Sequence, residues 1–142
     1  MSQIVVAYWS GSGNTEMMAE AVGRGIEAAG KEAKVVSVDD IQASELENCP
    51  VFAMGCPAMG DEVIEEEIME PFVEDVEKFV SGKKIALFGS YGWGDGEWMR
   101  AWEERMKNAG AELVAEGLIV NDAPDEEGCT SCEELGKKLA EA

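Results

Sequence analysis

The chain has 142 residues, the length of one domain that can bury its own core. Its 30 acidic and 11 basic residues give a formal net charge of −19, which makes nucleic acid and anionic membranes poor partners. It contains no histidine, so imidazole-based catalytic triads, His metal sites and His proton shuttles are excluded.

The first apolar run covers residues 4–9. It is too short for the apolar part of a signal peptide, and no basic stretch precedes it. No other run approaches the ~18 apolar residues that a membrane-spanning helix requires. We therefore expect a soluble, cytoplasmic protein.

Apolar runs of strand length alternate with segments of helical period along the chain. The predicted strands are residues 4–9, 33–38, 51–55, 84–90 and 118–120. The predicted helices are residues 15–29, 71–80, 98–109 and 129–142, and Gly30 and Gly110 are expected to end the first and third of them. This alternation predicts an α/β fold, a doubly wound five-stranded parallel sheet covered on both faces. With no repeat or linker, residues 1–142 are expected to form a single domain.

Two tryptophans mark one face of the third predicted helix. Trp98, Trp102 and Met106 recur at the three- and four-residue spacing of a buried helical stripe. We interpret both tryptophans as core residues.

The loop SGSGNT, residues 10–15, follows the first strand and precedes a helix, where phosphate-binding loops occur. It lacks the lysine of the nucleoside-triphosphate loop G-x-x-x-x-G-K-[ST]. It also lacks the third glycine of the dinucleotide fingerprint, because Glu16 stands at that position. Neither template fits the loop.

The loop instead offers hydroxyls, one side-chain amide and backbone N–H groups at a helix N-terminus, from Ser10, Ser12, Asn14 and Thr15. This donor set suits one phosphate monoester enclosed by hydrogen bonds, with the helix dipole assisting. An ordinary Gly/Ser turn capped by Asn14 or Thr15 is an equally good interpretation of this loop alone.

Two further loops of unusual composition, residues 56–62 (CPAMGDE) and 90–98 (SYGWGDGEW), follow the third and fourth strands. In a doubly wound sheet they lie at the same carboxyl edge as residues 10–15, where ligands bind. In this order the three loops resemble the phosphate loop and the two flavin-flanking loops of the flavodoxin family. The resemblance spans the chain and is to the short-chain, clostridial-type group.

That resemblance implies a non-covalently bound FMN cofactor, a strand order of 2-1-3-4-5 and one-electron transfer between redox partner proteins. The family pattern places the phosphate on residues 10–15, with Trp93 and Met59 on the two faces of the flavin ring. Gly60 matches the glycine whose carbonyl turns toward the flavin when the semiquinone forms, and Glu62 matches the acceptor of the ring N3–H. The expected cofactor-binding residues are Ser10, Gly11, Ser12, Gly13, Asn14, Thr15, Ala58, Met59, Gly60, Asp61, Glu62, Ser90, Tyr91, Gly92, Trp93, Gly94 and Asn121.

The family pattern and the charge together predict a low-potential carrier that shuttles mainly between semiquinone and hydroquinone and has no substrate of its own. Residues 61–71, including Glu65, Glu66 and Glu67, form the candidate face for docking reductases and oxidoreductases with basic surfaces. A solvated face is the alternative for each of these glutamates. We expect a monomer without a metal site. Pro57 has no donor, so no help to the phosphate is expected from that position.

The same residues bear on several other functions. Cys129 and Cys132 form a C-x-x-C motif, which allows a dithiol redox protein, although buried structural thiols are the commoner case. A phosphate-accepting receiver domain needs acidic residues where Ser10 and Cys56 stand, and a lysine where Asn121 stands. A low-molecular-weight phosphatase needs a cysteine and an arginine in the first loop, which has neither. A small flavin-dependent reductase remains an alternative.

Overall fold

The computed structural model describes residues 3–11, 13–59, 63–92 and 94–142. Its strands are β1 (Gln3–Tyr8), β2 (Glu32–Ser37), β3 (Val51–Gly55), β4 (Lys84–Tyr91), β5 (Glu112–Leu113) and β6 (Leu118–Asn121). Its helices are α1 (Asn14–Ala28), α2 (Met69–Glu77), α3 (Glu97–Asn108) and α4 (Glu126–Ala140), with a short 3-10 helix at Ala43–Leu46.

The strands form one parallel sheet in the order β2-β1-β3-β4-β5, with β6 also paired to β4. Tyr8 lies opposite Gly55 in the register, so β1 and β3 end side by side. Each strand runs in the same direction, and all the loops that follow the strands therefore emerge at one edge. The predicted α/β class and strand order are confirmed.

The fifth strand position differs from the prediction, because two short strands occupy it. β5 pairs with Lys84 and Ile85, and β6 pairs with residues 88–91, so residues 114–117 interrupt the ladder. Within this interruption, the Gly117 N–H donates to the Glu103 carboxylate of α3 at 2.6 Å. Gly117 also approaches the Met99 side chain so closely that a Cβ would lie 2.4 Å from its sulfur. The backbone leaves the ladder to pack on α3.

The core lies on both faces of the sheet, because successive strand residues point to opposite sides. Val5, Phe52 and Leu87 face α2, α3 and the 3-10 helix. Val6, Ala53 and Phe88 face α1 and α4. Trp98 and Trp102 are 1% and 2% exposed, which confirms their interpretation as core residues.

Helix α2 begins at Met69, two residues before the predicted start, because of a residue further upstream. The Glu65 carboxylate accepts the backbone N–H groups of Glu67, Ile68 and Met69 at 2.9, 2.7 and 2.8 Å. These bonds satisfy N–H groups at the start of the helix, which have no partner within it. Pro71 is tolerated in the first turn for the same reason, since its missing N–H would be unpaired there.

The other helix ends follow local signals. Gly30 and Gly110 have φ values of 92° and 98°, as expected for glycines that end helices. Helix α4 begins three residues before the predicted start, where the Asp125 carboxylate accepts the Gly128 N–H at 2.8 Å. None of the helices in the described ranges is long and apolar enough to cross a membrane.

Candidate cofactor site

Ser10 organises the loop between β1 and α1. Its Oγ accepts the N–H groups of Gly13 at 3.1 Å and Glu16 at 3.3 Å. Gly13 takes a left-handed conformation, φ 97°, immediately before the helix. With both of these N–H groups bound to its oxygen, the Ser10 hydroxyl keeps its own proton to donate to a ligand.

The first turn of α1 presents donors that no described residue accepts. Among the described residues, the Asn14 and Thr15 N–H groups have no hydrogen-bond acceptor. The loop carries no cation, and the helix N-terminus itself supplies partial positive charge. This donor set fits a phosphate monoester, which is the end group of FMN.

Thr15 links the phosphate loop to the strand next to the second flavin loop. Its Oγ1 lies 3.1 Å from the Ser90 Oγ of β4, and the two side chains belong to residues that are 1% and 4% exposed. The Ser90 carbonyl in turn accepts the Ala58 N–H at 3.0 Å. Ser90 therefore joins all three predicted loops.

The loop after β3 is anchored at Cys56. Its carbonyl accepts the Trp98 indole N–H at 3.1 Å, and the thiol is fully buried. Burial is the main factor that raises the pKa of Cys56 to about 12. A Cβ on Gly89 would lie 2.1 Å from the Cys56 carbonyl oxygen, so only glycine fits at that position of β4.

Met59 and Val63 close the ends of the loop that contains residues 60–62. Met59 N–H donates to the Val63 carbonyl at 2.8 Å, and Val63 N–H donates to the Met59 carbonyl at 3.1 Å. Met59 is half-buried. The predicted ligands Gly60, Asp61 and Glu62 lie outside the described residues, as do Ser12 and Trp93.

The loop after β4 is tied to the end of β6. The Tyr91 carbonyl accepts the Asn121 side-chain amide at 3.3 Å and the Asp122 N–H at 2.8 Å. Asp122 has a left-handed φ of 56°. Gly92 and Gly94, on either side of Trp93, are both exposed. The structure therefore places Asn121 beside the second flavin loop.

Tyr8 and Glu16 flank the phosphate loop. The Tyr8 hydroxyl donates to the Glu16 carboxylate at 3.1 Å. Burial first, and then Glu16, raise the pKa of Tyr8 to about 12. Tyr8 therefore remains a neutral donor beside the loop at physiological pH.

Three features of this site were not predicted from the sequence. Val63 closes the 60–62 loop, Trp98 anchors Cys56, and Glu65 is a helix cap.

Glu65 was predicted to belong to an acidic docking face, and this prediction is wrong. Glu65 is 8% exposed, and its carboxylate accepts three backbone N–H groups. In the sequence, the only signal of this cap is a carboxylate four residues before the first residue of the helix.

The thiols of the C-x-x-C motif are poorly placed for redox chemistry. Cys132 is fully buried, and burial raises its pKa to about 12, whereas reactive thiols have lowered pKa values. Both cysteines are free. Within the described residues, no group of three or more His, Cys, Asp or Glu side chains is arranged to hold a metal ion.

Comparison with known proteins places this chain in a family. The family model described as Flavodoxin matches residues 6–136. The chain is 52% identical to a flavodoxin of Clostridium beijerinckii over 95% of this chain and 97% of that protein. It is 42% identical to a flavodoxin of Megasphaera elsdenii over 98% and 99% of the two chains. The solution structure of two-electron reduced Megasphaera elsdenii flavodoxin superposes with a TM-score of 0.89, at 43% identity, over 98% of this chain and 99% of that one.

A doubly wound sheet with hydrogen-bond donors gathered in a loop at its carboxyl edge is typical of α/β proteins of the nucleotide-cofactor-binding class. The comparisons make the assignment specific, and the chain belongs to the flavodoxin family. Its cofactor is FMN, and it is an electron-transfer flavoprotein that passes electrons to redox partner proteins rather than an enzyme that turns over a substrate.

Proposed function

We propose that this chain is a monomeric, single-domain carrier that works at low potential, mainly between the semiquinone and hydroquinone states of FMN. We further propose that it docks basic redox partners through an acidic surface beside the cofactor. The observation that carries the proposal is a cofactor loop with hydroxyl and amide donors but no cation, in a chain of net charge −19. FMN, when bound, supplies a ring that accepts and releases single electrons.

The phosphate is assigned to the loop between β1 and α1. The Ser10 hydroxyl and the N–H groups of Asn14 and Thr15 are the donors that the described protein leaves available. Gly11, Ser12 and Gly13 complete the loop by sequence. These groups hold a dianion through hydrogen bonds and the helix dipole without neutralising its charge.

The flavin ring is assigned to the loops after β3 and β4, residues 56–62 and 90–98. On the family pattern, Met59 and Trp93 flank it, and Gly60, Asp61 and Glu62 face its edge. Gly60 accepts either sign of φ, so its peptide is the one expected to reorient between redox states. The remaining contacts are assigned to Ala58, Ser90, Tyr91, Gly92, Gly94 and Asn121.

The uncompensated negative charge supports a low potential. One carboxylate about 10 Å from the ring opposes a developing negative charge by roughly 1.7 kcal/mol at an effective dielectric of ~20. For a one-electron step this is ~70 mV per charge before screening by salt. The chain has many acidic groups, and the loop that holds the phosphate has no cation to offset them. This charge therefore favours electron release from the fully reduced cofactor.

Glu66 and Glu67 form the proposed docking surface, which we call the acidic segment. Both are exposed, and they follow the loop that contains residues 60–62. Complementary charge steers partners toward the cofactor and speeds their association. The net charge of −19 also opposes self-association, which supports a monomer.

A potentiometric titration of the FMN-loaded protein tests the proposal. We expect two separate one-electron steps, with the second at a potential below that of free FMN, and a blue neutral radical between them. The variant G60T should give less radical than the wild type, because a β-branched residue restricts the φ change at that peptide. The variant G60A should give an intermediate yield.

A single two-electron step in the wild type would contradict the proposal, and so would a second potential no lower than that of free FMN. A radical yield in G60T equal to that of the wild type would remove Gly60 from the mechanism. The FMN dissociation constant of each variant, measured in parallel, separates loss of binding from loss of radical stability.

A further inference from the structure

A groove along the flank of α2 is not used by the cofactor site. It lies between α2 and the 3-10 helix Ala43–Leu46 and has a volume of about 550 Å³. Its apolar lining includes Ile41, Ile68, Phe72 and Phe79. We call it the lateral groove.

The lateral groove is open because one crossover of the fold is short. The connections from β1 to β2 and from β4 to β5 carry helices of 15 and 12 residues, whereas the β2 to β3 connection carries a 3-10 helix of four residues. One 3-10 turn cannot cover the neighbouring side of α2. Ile68 is left 39% exposed, and Phe79 is only half-buried.

Charge around the groove defines what it can accept. Two lysines adjoin the groove. The Lys78 ammonium pairs with Asp75 at 3.2 Å, and the Lys83 ammonium donates to the Glu47 backbone carbonyl and lies 5.8 Å from the centre of the Phe79 ring. Glu47 and Asp75 line the groove. Further exposed carboxylates adjoin lining residues in the sequence, since Asp39 and Asp40 precede Ile41, Glu45 follows Ser44, and Glu66 and Glu67 precede Ile68. A second copy of this chain carries the same net charge of −19 and is repelled.

We propose that the lateral groove binds an amphipathic helix of a redox partner, with apolar side chains in the groove and lysines or arginines against its acidic rim. Helices that dock in grooves present apolar anchors at i, i+3, i+4 and i+7, and this stripe suits a groove with an apolar lining and carboxylates beside it. The inference rests on the proposed docking role and adds to it an apolar anchor. Ile68 directly follows Glu67, so the anchor lies next to the acidic segment.

Two synthetic peptides of identical composition test the groove against FMN-loaded protein. The first is a 15-residue helix with leucines at i, i+3, i+4 and i+7 and lysines elsewhere, and the second is its scramble without an apolar stripe. We expect the amphipathic peptide to bind at least tenfold more tightly by fluorescence anisotropy. The variant S44W, which fills the groove from the exposed side of the 3-10 helix, should reduce this affinity at least fivefold.

The variant T130W is the matched control, because Thr130 is exposed on α4, across the sheet from the groove. It should bind the peptide like the wild type. I68Q provides a second test should S44W not fold, and it should also weaken peptide binding. Equal binding of the two peptides, or unchanged binding by the groove variants, overturns the inference.

A different measurement tests the proposed function. A protein that shows two one-electron steps and salt-dependent reduction of a basic acceptor, but binds both peptides equally, retains the proposed function and loses the groove. A protein that shows a single two-electron step fails the proposed function whatever peptide it binds.

Discussion

Ser10 illustrates how one hydroxyl shapes a cofactor loop. Two backbone N–H groups converge on its oxygen, and its proton stays available for a ligand. The sequence predicted this residue as a phosphate ligand from its type and position alone. Its part in fixing the loop follows from tertiary geometry, because an oxygen that accepts two N–H groups from residues 13 and 16 leaves no pattern in the sequence.

Replacing Ser10 by alanine should weaken FMN binding selectively. Loss of a donor to a charged phosphate and of the loop-organising acceptor should raise the FMN dissociation constant by ~10- to 100-fold, about 1.5–3 kcal/mol. Riboflavin, which lacks the phosphate, should bind the variant and the wild type with similar affinity. S44A is the control, since Ser44 is exposed away from the loop. Equal weakening of both flavins would assign Ser10 a purely structural role.

Trp98 and Trp102 form a natural pair for measuring one buried hydrogen bond. Both are buried on α3, but only the Trp98 indole N–H has an acceptor, the Cys56 carbonyl. The Trp102 Nε1 has no hydrogen-bond partner among the described residues. A buried donor without an acceptor is itself destabilising, so removing it relieves that cost. Removing a buried donor that has an acceptor leaves the acceptor unsatisfied.

We therefore expect W98F to lower the free energy of unfolding by about 1–3 kcal/mol more than W102F. The two substitutions remove the same volume, so the difference reports the hydrogen bond. Urea unfolding of both FMN-loaded variants, followed by circular dichroism, measures it. A larger loss of unfolding free energy in W102F than in W98F would mean that the Trp102 indole N–H of the wild type has a partner.

Among the secondary-structure elements, those buried on every side are predicted best. Strand β3 was predicted at its observed bounds, because a central parallel strand is buried on both faces and is therefore a continuous apolar run. The start of α2 was missed, since its cap comes from Glu65, outside the helical period. The interruption between β5 and β6 was missed because Gly117 leaves the sheet to contact Glu103 on another element.

The Glu65 cap makes the stability of α2 dependent on pH. Despite the opposing effect of burial, three backbone N–H bonds lower the pKa of Glu65 from its ordinary value. A group with a lowered pKa in the folded state stabilises the fold above its unfolded pKa, and this contribution is lost as pH falls through the folded value. We expect E65Q to lower the free energy of unfolding by about 1–2 kcal/mol at pH 7.

The difference between E65Q and the wild type should shrink as pH falls below the ordinary carboxylate range. Urea unfolding at several pH values provides the measurement. E66Q is the matched control, because the neighbouring Glu66 is exposed and should change stability little. A loss in E65Q that is constant with pH would contradict the assigned cause.

Across the whole molecule, negative charge affects folding and partner binding in opposite ways. The sequence gives the total charge, but only the structure separates a carboxylate that caps a helix from those at the surface. The exposed carboxylates repel one another in the folded state and attract basic partners. Salt screens both effects.

We expect electron transfer from the reduced protein to a small basic haem protein to slow severalfold as NaCl rises from 0.05 to 0.5 M. The double variant E66Q/E67Q should be slower at low salt and less sensitive to salt. E27Q/E141Q is the control, because these exposed residues lie at the far ends of α1 and α4, at the amino edge of the sheet. Stopped-flow absorbance gives the rates.

The thermal midpoint should rise over the same salt range, because screening relieves the repulsion within the fold. Unfolding therefore cannot explain the slower reaction. Rates that stay constant with salt, or that fall equally in the two double variants, would contradict a docking role for the acidic segment.

The contact between Thr15 and Ser90 has a consequence for how the cofactor is acquired. The two hydroxyls join the first turn of α1 to β4, the strand that leads to residues 91–98. Ordering a loop on binding costs free energy that a ligand must otherwise supply. We therefore expect this contact to lower the free energy that FMN binding spends on bringing the first turn of α1 and β4 together.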